Sequence, residues 1–201
     1  MKRDRNNRRE KILQALAQML EKEPGERITT AKLAVAVGVS EAALYRHFPS
    51  KGKILEGLID YIEENTLVRA KQMAAEKGDP LERMERILRM TLEFAQKNPG
   101  MCRILTGEAL AGETERLRKR VGQFFQHYET CLAQLLQEGQ RKGGYDPHMP
   151  NQSATNLMLA FLEGKIHMFV RSDFKMMPLQ FWQEQWSFLA EQLLGAPEAV
   201  V

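Results

Sequence analysis

Two cysteines in 201 residues, Cys102 and Cys131, are too few and too far apart to staple the chain, and no CxxC pair accompanies them. They are expected as reduced, buried thiols, because free cysteine behaves as a small hydrophobe. Histidine is equally sparse. His47, His127, His148 and His167 stand apart, with no cysteine or carboxylate at ligand spacing, which argues against a metal centre and a catalytic triad. With no glycine-rich phosphate loop and no supported pair of acids, no catalytic residue, metal ligand or cofactor is assigned, and an enzyme is not expected. No uninterrupted apolar run approaches the length of a membrane span, and the opening MKRDRNNRREK has no apolar segment behind its charges. The expectation is a cytoplasmic protein with no membrane attachment. Strand-like alternation of apolar and polar residues is missing as well, so helical periodicity points to an all-α fold.

What the chain does have is concentrated in ITTAKLAVAVGVSEAALYRHF, Ile28 to Phe48, which spells two short helices around a glycine turn. Thr29 or Thr30 caps a helix with Leu33, Ala34 and Val37 on one side, and Gly38 permits a left-handed turn after it. Ser40 then caps a second helix, in which Ala43 and Leu44 face inward while Glu41, Ala42, Tyr45 and Arg46 point elsewhere. Helices this short are not stable alone. They must pack on neighbours while one face stays outward, the geometry of a DNA-reading helix-turn-helix. Charge agrees: residues 1–53 carry twelve Lys and Arg against six Asp and Glu, within a chain whose net charge is only +3. Such a segregated field attracts polyanions.

Around this motif about nine helices are expected. The first runs over about residues 8–21, with Ile12, Leu13, Leu16, Ala17 and Leu20 as its stripe and Pro24 and Gly25 ending it. Ser50 caps a long helix with Ile54, Leu55, Leu58, Ile59 and Ile62 inward, continuing beyond Arg69 toward Glu76 and stopping at Gly78. Asp79, Pro80 and Glu82 open the next, which carries Ile87, Leu88, Leu92 and Phe94; Asn98 and Pro99 open another directly after Lys97. A helix over about 113–141 holds Leu117, Val121, Phe124, Phe125, Tyr128, Leu132 and Leu135, before a loop from Lys142 to Pro150. The last two, about 151–171 and 178–194, bear wide stripes: Leu157, Met158, Phe161, Leu162 and Phe169, then Phe181, Trp182, Leu189 and Leu193. Such a pair fills its own domain or forms a four-helix seam with a second copy. The dimer is favoured, since one helix-turn-helix touches one half-site and a two-fold mate about 34 Å away supplies the other. The domains are expected as 1–53, three helices for DNA, and 54–201, a helical bundle for dimerisation and partner or effector binding.

The run Ile28-Thr29-Thr30, Leu33-Ala34, Gly38-Val39-Ser40, Leu44 through Phe48 and Ser50-Lys51 resembles the TetR family of helix-turn-helix proteins. Over most of the chain, in RREKILQALAQMLE, RITTAKLA, GVSEAALYRHFPSK, NPGMCRILTGEAL and FVRSDFK, it is more similar still to the family's nucleoid occlusion members. The resemblance implies a homodimer on a palindromic double-stranded site, associated with the nucleoid, that antagonises polymers of the tubulin-like division GTPase FtsZ. Most of the wider family are ligand-released transcriptional repressors, which is the competing expectation. A small-molecule effector is therefore possible but not favoured: the methionines, among them Met84, Met90, Met101, Met158 and Met168, are expected as pliable core filling.

By resemblance, Thr29, Thr30, Tyr45, His47 and Lys51 hold phosphate, and their hydroxyls and cations suit that role. Base reading falls to Ser40, Glu41, Ala42 and Arg46, with Ala42 suited to a thymine methyl and Arg46 to a guanine edge. Lys32 reaches a base or a phosphate. The plainer alternative is that Thr29 and Ser40 only cap helices and Tyr45 only packs. The resemblance assigns FtsZ binding to Arg69, Met90, Lys97 and Asn98; for Asn98 the alternative is a helix cap ahead of Pro99.

Overall fold

In a computed structural model, residues 2–23, 26, 28–142, 148–193 and 195 are described. Periodicity and capping resolve into α1 (Lys2–Lys22), α2 (Thr30–Val37), α3 (Glu41–His47), α4 (Lys51–Asn65), α5 (Leu67–Ala74), α6 (Pro80–Lys97), α7 (Pro99–Leu105), α8 (Glu115–Arg141), α9 (Asn151–Arg171) and α10 (Trp182–Phe188). A 3-10 turn at Glu108–Leu110 precedes α8, and a π-helical turn at Leu189–Leu193 prolongs α10. All the expected helices are present among the described residues, and no strand is. Pro24, Gly25, residues 143–147 of the expected loop, and Leu194 lie outside the described residues.

Two helices depart from expectation. The long fourth helix is interrupted at Thr66, whose backbone sits at φ −123°, ψ −66°, giving α4 and α5 in place of one rod. Thr66 is wholly buried at this break, and its side chain bonds the Tyr128 hydroxyl. The last helix begins at Trp182 instead of residue 178, because Phe181 adopts a left-handed φ of 61° and closes a turn first.

The chain divides into two compact units. The first comprises Met1–Glu63 and Asn98–Gly122, the second Glu64–Lys97 and Gln123–Val201. The first is thus larger than the segment 1–53, taking in most of α4, all of α7 and the start of α8. Its core is Ile12, Leu16, Leu33, Leu44, Phe48, Ile54, Leu58 and Ile62, all with under 2% of their surface exposed. Helix α1 packs on α2, α3 and α7. Its approach to α7 depends on Gly100, where a Cβ would lie 2.0 Å from the Ala17 carbonyl oxygen. Ion pairs fasten α4 to α8 within this unit: Arg120 reaches Asp60 at 2.5 Å and Glu63 at 2.7 Å, and Arg116 reaches Glu56 at 3.2 Å. Burial works against the Arg120 charge, but its bonds to Glu63 and Asp60 raise its basicity overall.

In the second unit α6 packs on α5 and α9 around Met84, Ile87, Leu88 and Leu92. Tyr128 is wholly buried, its ring 5.0 Å from that of Phe124 and its hydroxyl 2.8 Å from Thr91 Oγ1. Arg83 is buried too: its guanidinium donates to the carbonyl of Ala74, the last residue of α5, and to that of Glu76 just beyond it, and pairs with Glu138 at 2.7 Å. Cys102 and Cys131 are buried free thiols, and burial pushes Cys102 up to about 12. Of the methionines named above, Met84, Met101 and Met158 are core; Met90 is half-buried and Met168 exposed.

Candidate nucleic-acid interface

The helix ends around the turn between α2 and α3 are satisfied by groups no more than five residues apart. Thr29, not Thr30, caps α2, its Oγ1 accepting from the Lys32 amide at 3.2 Å. Gly38 ends α2 at φ 74°, ψ 37°, and the Val39 amide then reaches the Ala34 carbonyl at 2.9 Å, satisfying a helix-end acceptor. Ser40 Oγ caps α3 by accepting from the Ala43 amide at 3.2 Å. Leu44 is the anchor of α3, with no exposed surface.

With Leu44 inward, Ala42, Tyr45 and Arg46 stand exposed and Glu41 is half-buried. Among the described residues Arg46 has no ion-pair partner, so its charge is available. Thr30 Oγ1 and the Tyr45 hydroxyl lie 3.2 Å apart, which joins the start of α2 to the outward face of α3 and brings two expected phosphate donors together. Thr29 and Ser40 therefore do cap, and both remain exposed, so capping leaves oxygen lone pairs and surface for a second role. His47 is half-buried at the end of α3.

The lysines are engaged within the protein. Lys32 Nζ pairs with Glu26, and Glu23 lies 3.6 Å away. Bonding to Lys32 draws the Glu26 carboxyl below its ordinary range, and Glu26 raises Lys32 in return. Lys51 Nζ pairs with Glu113 Oε1 at 2.7 Å. Both cations lie in the motif's compact unit, where the sequence expectation puts them, but each meets a carboxylate of the same unit.

Two residues of this surface were given no role by sequence reasoning. Arg9 on α1 donates through Nη1 to the His47 carbonyl at 2.9 Å, and its guanidinium lies 4.2 Å over the Phe48 ring. It thereby satisfies a carbonyl at the negative end of α3. Glu113 is the other. Their only sequence signal is charge sign, which does not reveal a partner 38 residues away, as for Arg9 and His47.

The expected partner residues fall differently. Arg69 on α5 and Lys97 at the end of α6 are exposed and Met90 on α6 is half-buried, in the second unit where α5 and α6 pack together. Asn98 is half-buried and begins the first unit's second segment. It occupies the N-cap position of α7, but its side chain makes no capping bond to that helix. Among the described residues no group of three or more His, Cys, Asp or Glu could hold a metal ion, and no helix is long and apolar enough to cross a membrane.

Comparison with known proteins accords with this architecture. Residues 12–58 match the tetR family of bacterial regulatory proteins, and residues 78–194 match a tetracyclin repressor-like C-terminal domain of SlmA-like type. A protein of Marinomonas sp. named nucleoid occlusion factor SlmA is 53% identical over 194 residues, 96% of this chain and 98% of its own length. Its namesake from Shewanella loihica is 54% identical over 188 residues, covering 94% and 95%. Among solved structures, the regulator PfmR from Thermus thermophilus superposes with a TM-score of 0.74 at 22% identity, covering 90% of this chain and 95% of its own. The regulator MbdR from Azoarcus sp. gives 0.77 at 17%, covering 96% and 98%.

Proposed function

The chain belongs to the TetR family of bacterial regulatory proteins, which are DNA-binding and not enzymes, and from that footing we propose that it is a nucleoid occlusion factor. The observation that carries this reading is likeness over nearly the whole chain, at 53% and 54% identity, to two proteins of that name. In the proposal a homodimer sets α3 of each copy into the major groove of one half of a palindromic chromosomal site. Ser40, Glu41, Ala42 and Arg46 meet base edges, Lys32 meets a base or a phosphate, and Thr29, Thr30, Tyr45, His47 and Lys51 hold phosphate. The exposed character of Ala42, Tyr45 and Arg46 over a buried Leu44 supports it.

Dimerisation is proposed through α9, α10 and the turn between them, where Leu157, Met168, Met176, Met177, Phe181 and Phe188 are all exposed. Leu157 and Phe181 belong to the stripes expected to be buried, and an apolar face of this kind calls for a partner surface. Bound to chromosomal DNA in the cytoplasm, the dimer opposes FtsZ polymers and keeps septa off the nucleoid. Arg69 and Lys97 offer positive charge to acidic groups of that partner, Met90 an adaptable apolar contact and Asn98 a polar one.

The test is sedimentation of FtsZ polymers with the purified protein, with and without duplexes recovered by genome-wide capture of bound DNA. Polymer loss that grows with site-bearing duplex is expected; no effect under either condition rejects the proposal. Arg69→Glu with Lys97→Glu is expected to lose the FtsZ effect at unchanged DNA affinity, and a fall in DNA affinity instead would make the two surfaces inseparable. A second reading, a ligand-released repressor, is favoured by one feature. A cleft of about 510 Å³ in the second unit, lined by Lys71, His127, Cys131 and Arg141 among others, lies within the size range of small-molecule sites. Capture of a single promoter, with release of that DNA by a small molecule, would decide for it.

A further inference from the structure

Lys51 opens α4, and the carboxylate that meets it sits on a braced turn. Gly112 at φ 76° sets that turn; the Glu113 amide donates to the Leu110 carbonyl at 3.0 Å, and the Glu113 carbonyl accepts from Arg118 Nη1 at 3.0 Å. Glu113 is thus held in place by its own backbone, and its side chain is mostly covered, at 16% exposure against 29% for Lys51. Both residues line one cleft of about 450 Å³ in the first unit, together with Glu23, Glu26, Arg103 and Glu108. Helix α8 begins two residues after Glu113. The arrangement recurs at α2, where Lys32 is paired with Glu26.

A lysine already neutralised by a fixed carboxylate cannot give a phosphate its full attraction. A phosphate that takes Lys51 must displace Glu113 or lie beside it, and the carboxylate then repels the phosphate or recruits a cation of its own. Either outcome lowers the net release of counterions on binding.

We propose that Glu113 is a built-in competitor of DNA: its carboxylate occupies Lys51 in the free protein and exchanges with a backbone phosphate on binding. Glu113 is then a positioning residue that sets affinity and salt dependence without contacting a base, and it ties the turn before α8 to whether DNA is bound. This rests on the reading of Lys51 as a phosphate donor, and the test separates the two.

Wild type, Glu113→Gln, Lys51→Gln and the double variant are titrated with a fluorescent mixed-sequence duplex across a range of salt. Phosphate contacts suffice for this readout, so no operator is needed. Glu113→Gln is expected to bind about two- to fivefold tighter, the scale of a partly exposed ion pair. Its log-affinity against log-salt slope is expected to be steeper by up to about one unit. Lys51→Gln is expected to bind more weakly, with a slope shallower by less than the full unit of an unopposed phosphate contact because Glu113 already offsets part of it, and in that background removal of Glu113 is expected to gain less. Glu113→Ser, a smaller replacement, reads the same slope should the glutamine variant melt early. Weakened Lys51→Gln beside a Glu113 variant of wild-type or lower affinity and unchanged slope overturns the competition. Lys51→Gln indistinguishable from wild type overturns the phosphate reading itself, and the competition with it.

Discussion

The outward face of α3 and the outward face of α9 and α10 are both open to water, and they are built from opposite materials. On α3 the exposed groups are a hydroxyl, a guanidinium and a methyl, set on a backbone whose ends are satisfied by Thr29, Gly38 and Ser40. On the other face stand Leu157, Met168, Met176, Met177, Phe181 at 60% exposure and Phe188 at 65%. The turn that presents them holds three non-glycine residues, Asp173, Phe174 and Phe181, at positive φ, a conformation that costs free energy for a side chain such as phenylalanine. The first face is complete by itself and awaits a polyanion. The second is left with exposed apolar surface, the material of a face that a second protein surface could cover.

That contrast can be broken most severely at the apolar face. Phe181→Asn with Phe188→Glu is expected to weaken self-association by about 3–6 kcal/mol, on the scale of two buried phenyl groups. Asparagine tolerates left-handed backbone better than phenylalanine, so the single variant Phe181→Asn is expected to leave the thermal midpoint of the monomer equal or higher. Sedimentation equilibrium reads the first expectation, and an unchanged dimer constant would move the seam elsewhere. The polar face fails through its foundation instead. Leu44→Ala removes the wholly buried anchor of α3 and is expected to cost about 2–5 kcal/mol, with DNA affinity falling while the dimer persists. Denaturant titration and light scattering on one sample check both halves; loss of the dimer would show that the two faces are not independent.

How much of this could be read from residue order follows from the range of each interaction. A cap at Thr29 or Thr30, the caps at Ser40, Ser50 and Asp79 and the glycine turn at Gly38 were legible, because a short side chain meets an amide two or three residues on. The stripes of α1, α6 and α8 were legible through periodicity. The break at Thr66 was not, because the partner its buried side chain meets, Tyr128, lies on another helix far along the chain. Nor were Glu113 against Lys51 or Arg9 against the His47 carbonyl, since a charged side chain carries no address for its partner. Leu157 and Phe181 show the limit of periodicity itself. Apolar spacing marks a face that avoids water without saying whether this chain or a second copy covers it.

Inside the second unit the Tyr128 hydroxyl sharpens the comparison from below, as a polar group that is buried and satisfied. Burial holds it up to about 12, against the bonds from Thr91 and Thr66 that pull it down, and burial likewise lifts Cys102 in the first unit to about 12. Both folded values lie above those of the unfolded chain, about 10 for tyrosine and 8.5 for cysteine. Stability from these neutral groups is therefore complete below about pH 8.5 and declines as pH rises toward 12, because the unfolded state sheds protons first. Tyr128→Phe is expected to cost about 1–3 kcal/mol at neutral pH for its two hydrogen bonds, and to flatten part of the alkaline decline. Denaturant midpoints between neutral pH and the alkaline range check it; equal slopes in both proteins would assign the decline elsewhere.

The smallest effect asks most of the DNA face, because it separates a cap from a contact at one atom. Ser40→Ala removes the oxygen that accepts from the Ala43 amide and is expected to cost about 1 kcal/mol, whereas Ser40→Gly costs only a few tenths because glycine suits the cap position. If Ser40 acted on DNA solely by holding α3 in shape, affinity would follow stability, and the glycine variant would bind nearly as wild type. If its exposed hydroxyl also meets the duplex, both variants lose that bond and bind with similar weakness despite unequal stability. The second pattern is expected, since the capping bond uses one lone pair and leaves the hydroxyl hydrogen free to donate to a phosphate or a base edge.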